Sequence, residues 1–169
     1  MGFDENKHIK GDITRVKADA IVNAANSSLM GGGGVDGAIH RAADPRLLEG
    51  CKKLRKNLPD GLPAGEAVIT KAYSLPAKYV IHTVGPVYNK DDISFLKKCY
   101  LNSLELAEKN NCESISFPAI STGIYGVPVG ISAGIAKEVI GKFGSLAIKE
   151  VTLVLFKQSD YQIYKKAFT

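Results

Sequence analysis

Apolar residues fall along this chain in two rhythms that take turns. Short apolar runs at residues 20–24, 66–71, 78–83, 114–118 and 151–156 have the length of strands. The run at 151–156 is continuous, as in a strand buried on both faces. Between these runs the apolar positions recur every three or four residues. Ile93, Leu96, Tyr100, Leu104 and Ala107 share one face of a helix predicted over 91–109, and Asp91 and Asp92 suit its start. Further helices are predicted over 129–143 and 160–168, with two short ones over 36–43 and 45–56. Pro45 suits a first helical position. Strand and helix alternate without a repeat, a low-complexity stretch or a linker. The pattern predicts a single α/β domain over residues 1–169 with a largely buried sheet.

Composition changes this picture little. A chain of 169 residues can bury a real core. No apolar run approaches the roughly 20 residues that span a bilayer, and the first ten residues lack the apolar stretch of a signal peptide. Cys51, Cys99 and Cys112 are odd in number and widely spaced, which argues against a zinc site or a disulfide framework and for a reducing cytoplasm. The net charge of +5 favours anionic partners without choosing among nucleic acid, nucleotide and phosphorylated surface. Nucleic acid is not specifically indicated, because no basic patch interleaved with aromatic residues is present.

Candidate chemistry gathers at predicted strand ends, where ligands sit in open α/β sheets. Gly31, Gly32, Gly33 and Gly34 form either a flexible connector or a place where backbone approaches a ligand. A helix starting near Asp36 would turn its free N–H groups toward that loop. Gly32, Gly34 and Gly37 formally spell GxGxxG, but the run follows an Asn-rich loop rather than a strand, and no suitably placed acidic residue follows. Ser121 to Gly126 is a second glycine loop, with Gly123 and Gly126 able to take positive φ. It reads as an ordinary strand-to-helix turn or as an anion nest. Two such loops facing each other suit a ligand with two phosphates. In Asn23-Ala24-Ala25-Asn26, turn chemistry is the reading for Asn23 and a ligand role the reading for Asn26. Asp12 either holds a turn or accepts from an exocyclic amine. Phe156 either plugs the core or stacks on a base. His40, four residues beyond Asp36, is read as a supporting or solvated histidine, His82 as structural and Cys99 as core.

Five segments together are specific: Gly11 to Thr14 (GDIT), Asn23 to Asn26 (NAAN), Gly31 to His40 (GGGGVDGAIH), His82 to Pro86 (HTVGP) and Pro118 to Gly126 (PAISTGIYG). In this order they resemble the macro domain family, in its MacroD-type branch of ADP-ribosyl and O-acetyl-ADP-ribose hydrolases. The resemblance runs from about Gly11 to the last helix. It implies a three-layer α/β/α fold around a mixed central sheet. It implies that Asp12 binds the adenine amine with Ile13 beside it, and that Phe156 packs on the adenine. Ser121, Thr122, Gly123, Ile124 and Tyr125 would hold the diphosphate. Ala24, Asn26, Gly33, Gly34, Val35 and Asp36 would line the remainder, with Asp36 and Asn26 catalytic at the distal ribose. The implied activity is removal of mono-ADP-ribose from acidic protein side chains and deacetylation of O-acetyl-ADP-ribose, by a monomer that needs neither metal nor cofactor. The base in that scheme is Asp36 or a phosphate oxygen of the substrate. An ADP-ribose reader without turnover, or an RNA-binding regulator, are the alternatives. Two departures stand out. Asp44 precedes Pro45 where this branch has glycine, which bears on how the helix ends. The stretch before Gly11 is polar, so the first strand is expected to be curtailed.

Overall fold

The computed structural model describes residues 5–169. Its centre is a six-stranded sheet built from β1 (Glu5–Lys10), β2 (Ala20–Ala25), β3 (Ala67–Lys71), β4 (Tyr79–Val84), β5 (Ser114–Phe117) and β6 (Glu150–Leu155). The order across the sheet is β1-β6-β5-β2-β4-β3. Every neighbouring pair is parallel except β3 with β4, so the sheet is mixed.

Strand alternation sends successive side chains to opposite faces, and helices cover both. Ile21 and Ala25 of β2, Val80 and Val84 of β4, and Val154 of β6 pack with α1 (Gly34–Ala43) and α2 (Pro45–Arg55). Ala20, Val22, Ile81, Phe117 and Leu153 point the other way. They meet α3 (Ser94–Lys109), α4 (Val129–Lys142) and α5 (Gln158–Ala167). The result is a three-layer α/β/α sandwich with two apolar cores. The buried strands are nearly all apolar, as parallel strands covered on both faces must be. The buried polar strand residues on the face toward α1 and α2 are Asn23, His82, Ser116 and Thr152.

The polar stretch before Gly11 forms a strand over Glu5–Lys10. β1 pairs in parallel with β6 over six residues, Glu5 opposite Glu150 through Lys10 opposite Leu155. An edge strand tolerates polar side chains, and the ring of His8 finds cover 5.8 Å from that of Tyr161. Asp44 takes the positive φ expected of glycine, at 72°. Its carboxylate accepts from the Arg46 backbone N–H at 3.0 Å, which caps α2, and from the Arg46 guanidinium. These bonds hold a conformation that Asp otherwise adopts reluctantly. Some helix starts shift: α3 begins at Ser94 because Asp91 and Asp92 are used beforehand, accepting from the N–H groups of Val87 and Ser94. Among the described residues no helix is long and apolar enough to cross a membrane.

Candidate functional site

The carboxyl ends of β2, β5 and β6 open into a cleft of about 780 Å³. All fourteen residues named for a site line it, from Asp12 and Ile13 through Asn26 and Asp36 to Phe156. They come from four separate parts of the chain. Arg41, Lys157 and Asp160 also line it, and nothing in the spacing of the sequence marked them.

One wall is the glycine run entering α1. Gly37 donates to the carbonyl of Gly33 at 3.2 Å, while the N–H groups of Val35 and Asp36 at the helix start have no acceptor among the described residues. Gly37 must be glycine, since a Cβ there would lie 2.4 Å from the carbonyl oxygen of Gly32. The opposite wall is the loop from Ser121 to Gly126. Its N–H groups at Thr122, Gly123, Ile124 and Tyr125 have no acceptor among the described residues either. Positive φ falls on Ser121 (66°) and Gly126 (77°), whereas Gly123 does not need it. Ser121 is held there by the Val127 N–H, which donates to its carbonyl at 2.9 Å. Its hydroxyl packs against Gly85, where a Cβ would come within 1.9 Å of Oγ. That contact explains the glycine of the HTVGP segment. Two rows of unpaired N–H donors, one reinforced by a helix N-terminus, make an anion site with room for two phosphates.

At one end of the cleft, Asp12 holds a turn and lines the wall. Its Oδ1 accepts from the N–H and hydroxyl of Thr14 at 2.9 and 2.7 Å, capping a 3₁₀ turn over Ile13–Arg15. The Thr14 hydroxyl, more than any other influence, holds its carboxyl below the ordinary value. Phe156 lies just beyond β6 and is 75% exposed, so it does not plug the core. Ile124, at 99%, stands equally bare on the other rim.

Asp36 lies at the other end, on the first turn of α1, and is 5% exposed. Its Oδ1 accepts from Asn23 Nδ2 at 2.8 Å, and its Oδ2 has no partner. Burial raises its carboxyl pKa, opposed by the Asn23 hydrogen bond and then by the charge of His40. His40 Nε2 lies 3.5 Å from Oδ1. The turn chemistry expected of Asn23 falls to Asn26. Asn26 does the turn chemistry: its Oδ1 accepts from the Ser28 N–H and hydroxyl, and its Nδ2 donates to the Gly31 carbonyl at 3.0 Å. It also lines the cleft. Asn23 is fully buried inside β2 and holds Asp36. Its place in a strand with the same face as α1 is what the linear motif could not display. Among the described residues no group of His, Cys, Asp and Glu converges in a way that fits a metal ion.

This combination of fold and cleft is that of a macro domain. The family model of the macro domain matches residues 22–136, so the chain belongs to the macro domain family. It is 49% identical over 168 residues to the O-acetyl-ADP-ribose deacetylase of Escherichia fergusonii, an alignment covering 95% of this chain and 93% of that one. Its backbone superposes on the Oceanobacillus iheyensis macrodomain with ADP at a TM-score of 0.91 and 46% identity, covering 95% of this chain and 87% of the other. The Trypanosoma brucei macrodomain in complex with ADP-ribose aligns at a TM-score of 0.87 and 41% identity, covering 97% of this chain and 69% of that one.

Proposed function

We propose that this chain binds ADP-ribose in the cleft and hydrolyses esters on its distal ribose. The substrates are O-acetyl-ADP-ribose and mono-ADP-ribose carried on acidic protein side chains. The observation that carries this reading is the buried Asp36 carboxylate, with an unpartnered and buried Oδ2, on a residue that lines a cleft walled by two rows of free N–H donors. The diphosphate lies between those rows. Adenine lies toward Asp12, whose Oδ2 accepts from its amine, with Ile13 beside it and Phe156 across its face. The distal ribose reaches Asn26, Gly33, Gly34, Val35 and Asp36.

Ester hydrolysis adds one water: its oxygen bonds to the acyl carbon, and the ribose oxygen leaves with a proton. A carboxylate that has lost its hydration but kept one free oxygen is suited to hold that water in place. The free N–H groups stay fixed on the ligand while charge develops nearby. The named activity of the Escherichia fergusonii relative and the ADP-ribose bound to the Trypanosoma brucei macrodomain point the same way. We place the protein in the cytoplasm as a monomer of one domain, since its three thiols are free and buried and one chain supplies the whole cleft.

Acetate release from O-acetyl-ADP-ribose, and ADP-ribose release from a protein modified on acidic side chains, test the reading. Wild type turns both over, and Asp36→Ala loses about 10²–10⁴-fold. Equal, background rates for the two proteins defeat the catalytic assignment. Binding of ADP-ribose in that case leaves a reader without turnover.

A further inference from the structure

Asn23 belongs to no part of the cleft wall, yet it makes the closest polar contact to Asp36. Strand alternation puts it on the face of β2 that looks at α1. In the parallel register it stands directly opposite His82 of β4. Its Nδ2 lies 2.8 Å from Asp36 Oδ1 and 3.2 Å from His82 Nδ1, so one NH₂ group serves two neighbours. His82 in turn has its Nε2 3.0 Å from the hydroxyl of Thr70 on β3.

The chemistry of these groups leaves one consistent arrangement of protons. His82 is fully buried, and burial holds it neutral by lowering its pKa to about 3. A neutral imidazole has one N–H and one acceptor nitrogen. The Asn23 amide donates to Nδ1, so the proton sits on Nε2 and is donated to the Thr70 Oγ1. Turning the amide over would set its carbonyl oxygen against a carboxylate and an imidazole lone pair. The carboxylate, which can only accept, turns the amide nitrogen toward itself, and His82 Nδ1 takes the second N–H of the same nitrogen. The untied oxygen of Asp36 is left beside Gly32, near Asn26: a Cβ on Gly32 would lie 3.3 Å from both Asp36 Oδ2 and Asn26 Nδ2.

We propose that Asn23 and His82 are a positioning pair that locks the Asp36 carboxylate in one orientation, with Oδ1 tied to the sheet and Oδ2 held on the side of Gly32 and Asn26. Neither residue touches the substrate. The inference rests on the reading that Asp36 holds the hydrolytic water. The titratable and charged groups around Asp36 are His40 and Arg41 on α1, Cys51 on α2 and His82 on β4. Burial pushes the Cys51 thiol up to about 11, so neither it nor His82 changes charge near neutral pH. The Asn23 amide is thus the hydrogen-bond donor that favours the ionised form of Asp36, with His40 assisting through its charge.

The test uses the full chain with Asn23→Leu, which keeps the size and removes the donors, and His82→Leu, which removes the acceptor. His82→Asn is the conservative variant, because its Oδ1 reaches the position of Nδ1. ADP-ribose affinity by calorimetry stays within about 3-fold in all three, which certifies the fold and the cleft. For Asn23→Leu, kcat on O-acetyl-ADP-ribose falls about 10–100-fold and the acid limb of its pH profile moves to higher pH. His82→Leu moves both in the same direction, and His82→Asn returns them toward wild type. A carbon-13 titration of the Asp36 carboxyl, independent of turnover, shows the same upward move in Asn23→Leu. Unmoved titration and pH profile in Asn23→Leu overturn the proposal, as does a kcat loss that His82→Asn does not repair. If wild type binds ADP-ribose without turnover, the catalytic reading fails, and the carboxyl titration alone decides whether Asn23 positions Asp36.

Discussion

Gly37→Ala separates two forces that act on the same helix in opposite directions. Gly37 is in α1, where alanine stabilises relative to glycine by about 1 kcal/mol. Its new Cβ, however, lies 2.4 Å from the Gly32 carbonyl oxygen, and such contacts do not survive below 3.0 Å. The backbone must therefore move by at least the difference, 0.6 Å. Overpacking of this kind costs about 1–3 kcal/mol, which offsets or exceeds the helix gain. The expected net loss is up to about 2 kcal/mol, a fall in melting temperature of at most about 8 °C. Catalysis suffers more, because Gly32 is the residue that lies between Asn26 Nδ2 and Asp36 Oδ2. A misplacement approaching 1 Å there lowers kcat by about 10–100-fold. Calorimetric melting and acetate release measure the two effects on one preparation. Gly134→Ala is the control: it is an exposed helical glycine in α4 whose Cβ meets nothing within 4 Å. It gains about 1 kcal/mol, melts about 2–4 °C higher and turns over normally. If Gly37→Ala melts like Gly134→Ala and keeps wild-type kcat, the close approach does not hold the cleft in shape.

Three further outcomes are expected. Burial raises the pKa of Asp36, so ionising it in the folded protein reduces stability as pH rises through the carboxyl range; Asp36→Asn removes that charge, melts higher than wild type at pH 7, and loses the advantage below about pH 3.8, while its turnover collapses. A melting difference that does not change between pH 7 and pH 3 contradicts this. Phe156→Ala leaves stability within about 0.5 kcal/mol, since the side chain is 75% exposed. The same variant weakens ADP-ribose binding about 5- to 100-fold, read by calorimetry, and unchanged affinity removes Phe156 from the adenine site. Gly85→Ala drives a Cβ into Ser121 Oγ and to 2.9 Å from Ile120 Cγ2. It weakens ADP-ribose binding at least about 10-fold through the diphosphate loop, and adding Ser121→Gly, which removes the hydroxyl and suits the positive φ, recovers part of the loss. No recovery in the double variant means the loop is held by something other than this contact.

Much of the site was legible in the residue string because its features are local. A glycine run, a strand ending in Asn-Ala-Ala-Asn and an Asp on the first turn of a helix are properties of neighbouring residues, and their order resembled one family. Other features misled. The polar stretch before Gly11 argued for a curtailed strand, yet β6 offers residues 5–10 a full row of backbone partners, and an edge strand needs only that. Gly123 looked like the residue for positive φ, but Ser121 takes it because Val127 and Gly85 pin the turn around it.

By itself the sequence determined the class of fold, through the period of its apolar residues, and the chemistry available at the strand ends, through residue type. Only the tertiary structure decided what those groups face. Asn23 and Asp36 are 13 positions apart, and Asn23 and His82 are 59 apart. Parallel pairing of β2 with β4 sets the asparagine beside the histidine, and the packing of α1 over that face sets the carboxylate beside both. A hydrogen bond depends on a separation of about 3 Å and on direction. Neither quantity is carried by spacing along the chain, so the orientation of Asp36 appeared only when sheet and helix were brought together.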